Sequence, residues 1–196
     1  MTADEQRFLD ESGYLVIQAR GEIPRTVLVR LEALFEGAGE NAGHALRSDA
    51  CERNANIAPV DFDLFAELAS AAQIGARVGY VLGGEYALAA LKARSSNPFA
   101  LALDPLRPGP GPAVCRVLWL LDDFTEEGVG ALRVAPGSHL SGQSPAEAAA
   151  ITVSGAAGSA VVLDGRLWSA AGANPGRRHL RTLRCEYLRR GARDSG

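Results

Sequence analysis

The sequence has little with which to hold a metal or cross-link itself: its 196 residues include three histidines and three cysteines. Cys51, Cys115 and Cys185 are an odd, widely spaced set with no CxxC pair. That excludes a disulfide framework and a cysteine-built zinc site, and leaves reduced, mostly buried thiols. No apolar run approaches the length needed to span a bilayer, so no membrane partner is expected. The opening MTADEQRFLDESGY is acidic and polar, unlike a secretory or transit segment, which makes the cytoplasm the expected location. Lysine is almost missing, Lys92 being the only one among twenty basic residues. A net charge of −3 argues against nucleic-acid binding by bulk electrostatics. The basic stretch RRHLRTLRCEYLRRGAR offers only Tyr187 as an interleaved aromatic, so it reads as the outer face of a last strand and a frayed tail.

What is present suffices for one globular domain, with 47% hydrophobic and 22% charged residues. We place that domain at residues 1–190 and a frayed tail at 191–196. Thr2 and Glu5 have capping-box spacing for a first helix, Gly13 ends it, and YLVI at 14–17 follows as a strand. Pro24 stands near the first turn of a helix whose Val27, Leu28, Leu31, Leu34 and Phe35 share a face. Residues 37–59 are polar, small and without period, as in a long loop or lid. Helical period returns over 61–82 and stops at Gly83-Gly84. Seven short strand-like runs follow, at 86–95, 113–121, 131–135, 151–153, 160–163, 167–170 and 181–188, separated by turn sequences such as PLRPGPGP and NPGRR. Helices first and strands afterwards predict an α+β protein whose β part is a sandwich or jelly roll.

The run LLDDFTEEGVGALRVAPGSHL at 120–140, then VVLDGRLW at 161–168 and an AxxN, resembles the phytanoyl-CoA dioxygenase family. FLDESGYLVI near the start fits the same family. The resemblance implies a double-stranded β-helix with helices packed outside. It also implies iron(II)/2-oxoglutarate chemistry on two histidines and a carboxylate, with open metal positions for the co-substrates. In this sequence Asp104 matches the carboxylate, but Ala102 stands where the first histidine belongs and Ser169 where the second does. A methyl group cannot donate to a metal, and a neutral hydroxyl is a poor ligand. The expectation is therefore a chain with no metal ligands and no cofactor, neither iron nor 2-oxoglutarate. His139 belongs to the PGSH turn, His179 follows NPGRR and His44 lies in the lid, so rebuilding a triad from them needs a rearranged backbone.

The family's 2-oxoglutarate arginine is best matched by Arg181, twelve residues past Ser169. Alternation puts Arg181 on one strand face with Leu183, Cys185 and Tyr187, the face expected to look into the barrel. A buried arginine needs a ligand anion or an internal acid such as Asp104. Asp104 is either a strand-end residue or, in a dry pocket, a general acid or base. Arg116 interrupts an apolar strand as an inward polar handle or an edge residue. Trp119 and Trp168 are core aromatics or substrate platforms. Ser169 fills the histidine's space or hydrogen-bonds a ligand, having no GxSxG context for nucleophilic work. Asp104 and Arg181 are thus the candidate catalytic pair, and Arg116, Trp119, Trp168, Ser169, Tyr187 and Ala102 the candidate substrate contacts. The function expected is a metal-independent, non-redox enzyme of cyclase, isomerase or dehydratase type. Its partner would be a small, largely apolar metabolite, in a setting of bacterial secondary metabolism, and a homo-oligomer is left open. A non-catalytic binding pseudoenzyme and a dioxygenase with atypical ligands stand as alternatives.

Overall fold

The computed structural model describes residues 1–18, 25–29, 33, 65, 68, 71–99, 104–125 and 129–191, and the backbone of 52–57. Helix α1 (Ala3–Ser12) starts as its sequence dictates: Thr2 caps the Glu5 amide and the Glu5 carboxylate accepts from the Thr2 amide. Gly13 ends it at φ 78°, where a Cβ would stand 2.5 Å from His139 Nδ1, so both conformation and space require glycine. Strand β1 (Tyr14–Ile17) follows. Residues 25–29 are helical and bury Val27.

The remaining elements are β2 (Glu52–Ile57), α2 (Ala72–Leu82), β3 (Tyr86–Ser96), β4 (Val114–Leu120), β5 (Leu132–Val134), the single-turn α3 (Ser138–Ser141), β6 (Ile151–Val153), β7 (Ala160–Asp164), β8 (Ser169–Ala171) and β9 (Leu180–Arg189). Six strands form the larger sheet in the order β1-β7-β4-β9-β3-β2, and β6-β5-β8 form the smaller one. Every registered pair is antiparallel. The architecture is the α+β, double-stranded β-helix type with helices outside. One added strand departs from the sequence reading. Residues 52–57, inside the expected loop, pair with β3 as an edge strand, because a partner's unpaired edge can recruit a segment that has no amphipathic period of its own. The rest of the expected lid, the 61–64 part of the expected helix, Cys51, His44 and the tail beyond 191 lie outside the described residues.

The larger sheet is buried on both faces. Toward the helices, Cys115, Val117, Trp119, Val162, Leu183, Cys185 and Tyr187 pack with Ile74, Val78 and Leu82 of α2. Toward the smaller sheet, Leu118, Leu120, Val161, Leu163 and Leu180 join Phe124, Val134, Val153 and Leu167 in a second cluster. Alternation along each strand feeds both cores. The second cluster fills only part of the space between the sheets, and a cavity occupies the rest.

Candidate functional site: a cationic cavity between the sheets

The inter-sheet cavity encloses about 570 Å³, a size that suits a small organic ligand. Its wall is built by register. Lys92 on β3 lies opposite Arg184 on β9, which lies opposite Leu118 on β4; one step along, Arg94 lies opposite Thr182. Arg116 on β4 lies opposite Glu186 on β9 and Leu163 on β7. The far wall is Ala131 and Leu132 with Ser169, Ala170 and Ala171 of β8, and residues 104–108 close one side. Among the described lining residues five are cationic (Lys92, Arg94, Arg107, Arg116 and Arg184), against Asp104 as the acid. Such a concave, one-signed wall concentrates anions.

Glu186 offsets part of this charge. Its carboxylate lies 3.5 Å from Lys92 Nζ and 3.2 Å from Arg184 Nε, which binds it to the two half-buried cations. Arg116 is placed differently. It is 9% exposed, and its one amino group donates 3.3 Å bonds to the Leu167 carbonyl and to Ser169 Oγ, both neutral acceptors. Its Nε is buried and has no partner among the described residues. Burial, and then the neighbouring Arg184, lower its pKa. The loop over it explains the glycines of PLRPGPGP. A Cβ on Gly109 would meet the Gly165 carbonyl at 2.2 Å and the Arg116 guanidinium at 2.9 Å. Arg107 and Ser169 exchange both backbone hydrogen bonds, which fastens the loop to β8. Glu147 fastens it again, accepting from the Leu106 amide at 2.9 Å while its other oxygen takes Arg133 at 2.7 Å. The Leu106 amide, and then Arg133, hold the Glu147 carboxyl below its ordinary range.

Of the residues singled out from sequence, Asp104, Arg116 and Ser169 line the cavity. Asp104 is exposed at its mouth, with its carbonyl accepting from Arg133, so the dry pocket considered for it is not what surrounds it. Ala102 lies outside the described residues. Arg181 requires correction: its backbone amide, Nε and guanidinium nitrogen all donate to Asp122, at 2.7, 2.9 and 2.8 Å, and it does not line the cavity. The alternation that groups it with Leu183 holds, but that face meets the helices. Barrel walls facing a cavity tolerate charge, whereas the face under a helix must be apolar. The same reversal moves Trp119 and Tyr187 into the helix-side core, Tyr187 edge-to-face with Tyr86. Trp168 is half-buried away from the cavity, its amide donating to Ser138 Oγ and its carbonyl accepting from Ala135. His139 sits against α1 with Nε2 3.0 Å from the Asp10 carbonyl, and His179 is exposed. Sequence reasoning missed Lys92, Arg94, Thr182 and Arg184. The signal was there: charges at alternate positions 92 and 94, and 184 and 186, in strands otherwise apolar.

The sequence model of the phytanoyl-CoA dioxygenase family matches residues 96–182. Similar solved structures include EctD from S. alaskensis with bound iron (16% identity, TM-score 0.73, covering 96% of this chain and 77% of that one). The epimerase SnoN, in complex with Fe3+, alpha-ketoglutarate and nogalamycin RO, is 18% identical at TM-score 0.73, over 95% and 82% of the two chains. HygX from Streptomyces hygroscopicus, with nickel and 2-oxoglutarate bound, is 15% identical at TM-score 0.74, over 97% and 88%. The chain spans half the length of EvdMO1, another similar structure. No curated protein matches. Among the described residues no helix is long and apolar enough to cross a membrane.

These structures overturn the expectation that cofactors have no place here: this fold is used with metal and 2-oxoglutarate. The reason the sequence misled is that ligand positions were judged one by one, while the cavity that receives the co-substrate is made by the fold. The described residues fit the two groups unequally. A dicarboxylate such as 2-oxoglutarate suits the cations of β3, β4 and β9. A ferrous ion does not suit the described donors. Ser169 Oγ already accepts from a guanidinium that repels a dication, and no three His, Cys, Asp or Glu among the described residues form a metal-binding group.

Proposed function

We propose that this chain, whose residues 96–182 match the phytanoyl-CoA dioxygenase family model, is an enzyme acting on a small organic anion held in the inter-sheet cavity. The observation that carries this is the wall itself: among the described residues, five cations to one acid line about 570 Å³. It replaces the largely apolar metabolite of the sequence reading with a carboxylate- or phosphate-bearing one. The reaction we assign is a non-redox step of isomerase or cyclase type. Arg184 and Lys92 bind and orient the anion, an arrangement that lets binding energy fix the reactive shape. Asp104, at the mouth and solvated, takes a proton from the bound substrate and returns it. Negative charge that develops meanwhile is stabilised by the guanidinium groups. SnoN, similar in fold, is an alpha-ketoglutarate-dependent epimerase, so a rearrangement on this scaffold has a precedent that uses that co-substrate.

The test is a panel of small organic acids screened for binding and conversion by mass spectrometry. Arg184→Ala should lose binding, and Asp104→Asn should keep binding and lose turnover. Unimpaired binding and turnover in Arg184→Ala contradicts the assignment. The fit of the cavity to a dicarboxylate favours one second reading, 2-oxoglutarate as co-substrate. Held with a metal, that molecule would supply two electrons for oxygen activation, and Arg184 and Lys92 would hold a carboxylate of it. Succinate released from 2-oxoglutarate under air, with added ferrous salt, supports this second reading; none released rejects it.

A further inference from the structure

Arg116 is a buried cation whose hydrogen bonds, among the described residues, go only to neutral acceptors. A guanidinium has five donors, is charged at every physiological pH, and is seldom buried without a carboxylate or another anion. Arg116 is 9% exposed and makes no ion pair with the described residues; its hydrogen bonds go to a carbonyl and a serine hydroxyl, and its buried Nε has no partner among them. The acid opposite it in register, Glu186, is drawn instead to Lys92 and Arg184. Nor is Arg116 sealed in the protein core, because it lines the cavity alongside Ser169. Glu186 and Asp164 act on this buried charge only through space, without a salt bridge, and a charge so placed is expensive unless a ligand supplies a direct partner.

Resting on the anionic substrate proposed above, we propose that Arg116 and Ser169 form an oxyanion-receiving end of the cavity, standing where the fold's third metal ligand would be. Arg116 donates to a carboxylate or phosphate group from its other amino group, which is not the one bonded to Leu167 and Ser169. Ser169 Oγ, which now accepts from Arg116, turns its own hydrogen toward the same group. Arg184 is the diagonal neighbour of Arg116 across β4 and β9, a relation that separates the two backbone positions by about 7–8 Å. The two arginines therefore receive the two ends of a short dianion. The position that would coordinate a metal in the fold becomes in this chain a second anion anchor, and the ligand class narrows from anion to short-chain dianion.

Calorimetric titration of the purified full chain with succinate, inorganic phosphate and acetate tests this. Succinate binding at least tenfold tighter than acetate is expected, and Arg116→Gln should weaken succinate at least tenfold, with Arg116→Lys intermediate. Phosphate binding tighter than succinate would keep the Arg116 centre and assign it to phosphoryl rather than carboxylate ligands. Normal succinate affinity in Arg116→Gln, with binding lost in Arg184→Ala, overturns the Arg116 end while leaving the proposed function intact. Normal affinity in both variants overturns both. A readout on the wild-type chain avoids any folding defect of the variants: the Arg116 Nε–H resonance, assigned by its loss in Arg116→Lys, should shift on saturation with succinate or phosphate. An unmoved resonance overturns the proposal.

Discussion

The two faces of the six-stranded sheet are made by the same strands, yet their physics is opposite. On the helix side, β4 and β9 present Cys115, Val117, Trp119, Leu183, Cys185 and Tyr187, all buried and all in one apolar cluster with α2. One residue out of phase, the same strands present Arg116, Thr182, Arg184 and Glu186 to the cavity and its rim. The helix face removes apolar area from water and so stabilises the fold, at roughly 25 cal/mol per Å². The cavity face keeps charges partly desolvated, which adds little to stability and reserves it for a ligand. Stability and chemistry are therefore separable by a shift of one residue.

The contrast can be broken in four places. Burial pushes the Cys115 and Cys185 thiols up to about 12. At pH 8 only roughly one molecule in ten thousand then carries a thiolate at either, against about a quarter for an ordinary thiol. Site-resolved mass spectrometry after iodoacetamide should find both sites labelled about a thousandfold more slowly in native protein than in urea. Native rates within tenfold of the unfolded ones would mean the helix face is open. Leu183→Ala, at a fully buried position, should cost about 2–5 kcal/mol in urea unfolding while leaving ligand affinity of the folded protein unchanged. Arg116→Met on the other face should be neutral or stabilising, within about 1 kcal/mol, since it removes an unpaired charge from a desolvated place. A loss of several kcal/mol would make Arg116 a structural residue. The smallest effect concerns the loop over the cavity. The Glu147 carboxyl is held below its ordinary value of 4.5 by the Leu106 amide and Arg133, so its clamp is complete above that value. It is lost as pH falls through the depressed value of the folded state. Hydrogen exchange at the Leu106 amide, referenced to intrinsic rates, should lose protection on going from pH 6 to pH 3; equal protection at both would show that Glu147 does not hold the loop.

The motifs that identified the fold turn out to be scaffolding. Asp122 of LDD binds Arg181, and Asp123 accepts from the Ala157 amide. Asp164 of DGR grips Arg166 within its own turn. Ser138 of PGSH accepts from the Trp168 amide, and Asn174 of AxxN donates to the Ser96, Asn97 and Arg178 carbonyls. Turn chemistry is local, so it can be read in a linear sequence, and so can the capping box at Thr2 and most strand positions. Which face of a strand looks inward is not local. Alternation alone gives two equivalent choices for β9, and only the position of α2 decides between them. Assuming that the apolar face points into the barrel sent Arg181, Trp119 and Tyr187 to the wrong side. The strand at 52–57 escaped for the same kind of reason, its pairing with β3 being a tertiary fact.

The central claim, that the charged face of this sheet is a receptor for oxyanions centred on Arg116, is most directly tested by anomalous diffraction from crystals soaked in selenate. The account predicts a selenium peak inside the cavity, with selenate oxygens within hydrogen-bonding distance of the Arg116 guanidinium and Ser169 Oγ. Selenate found only on the outer surface, at a concentration that saturates binding in solution, would contradict it.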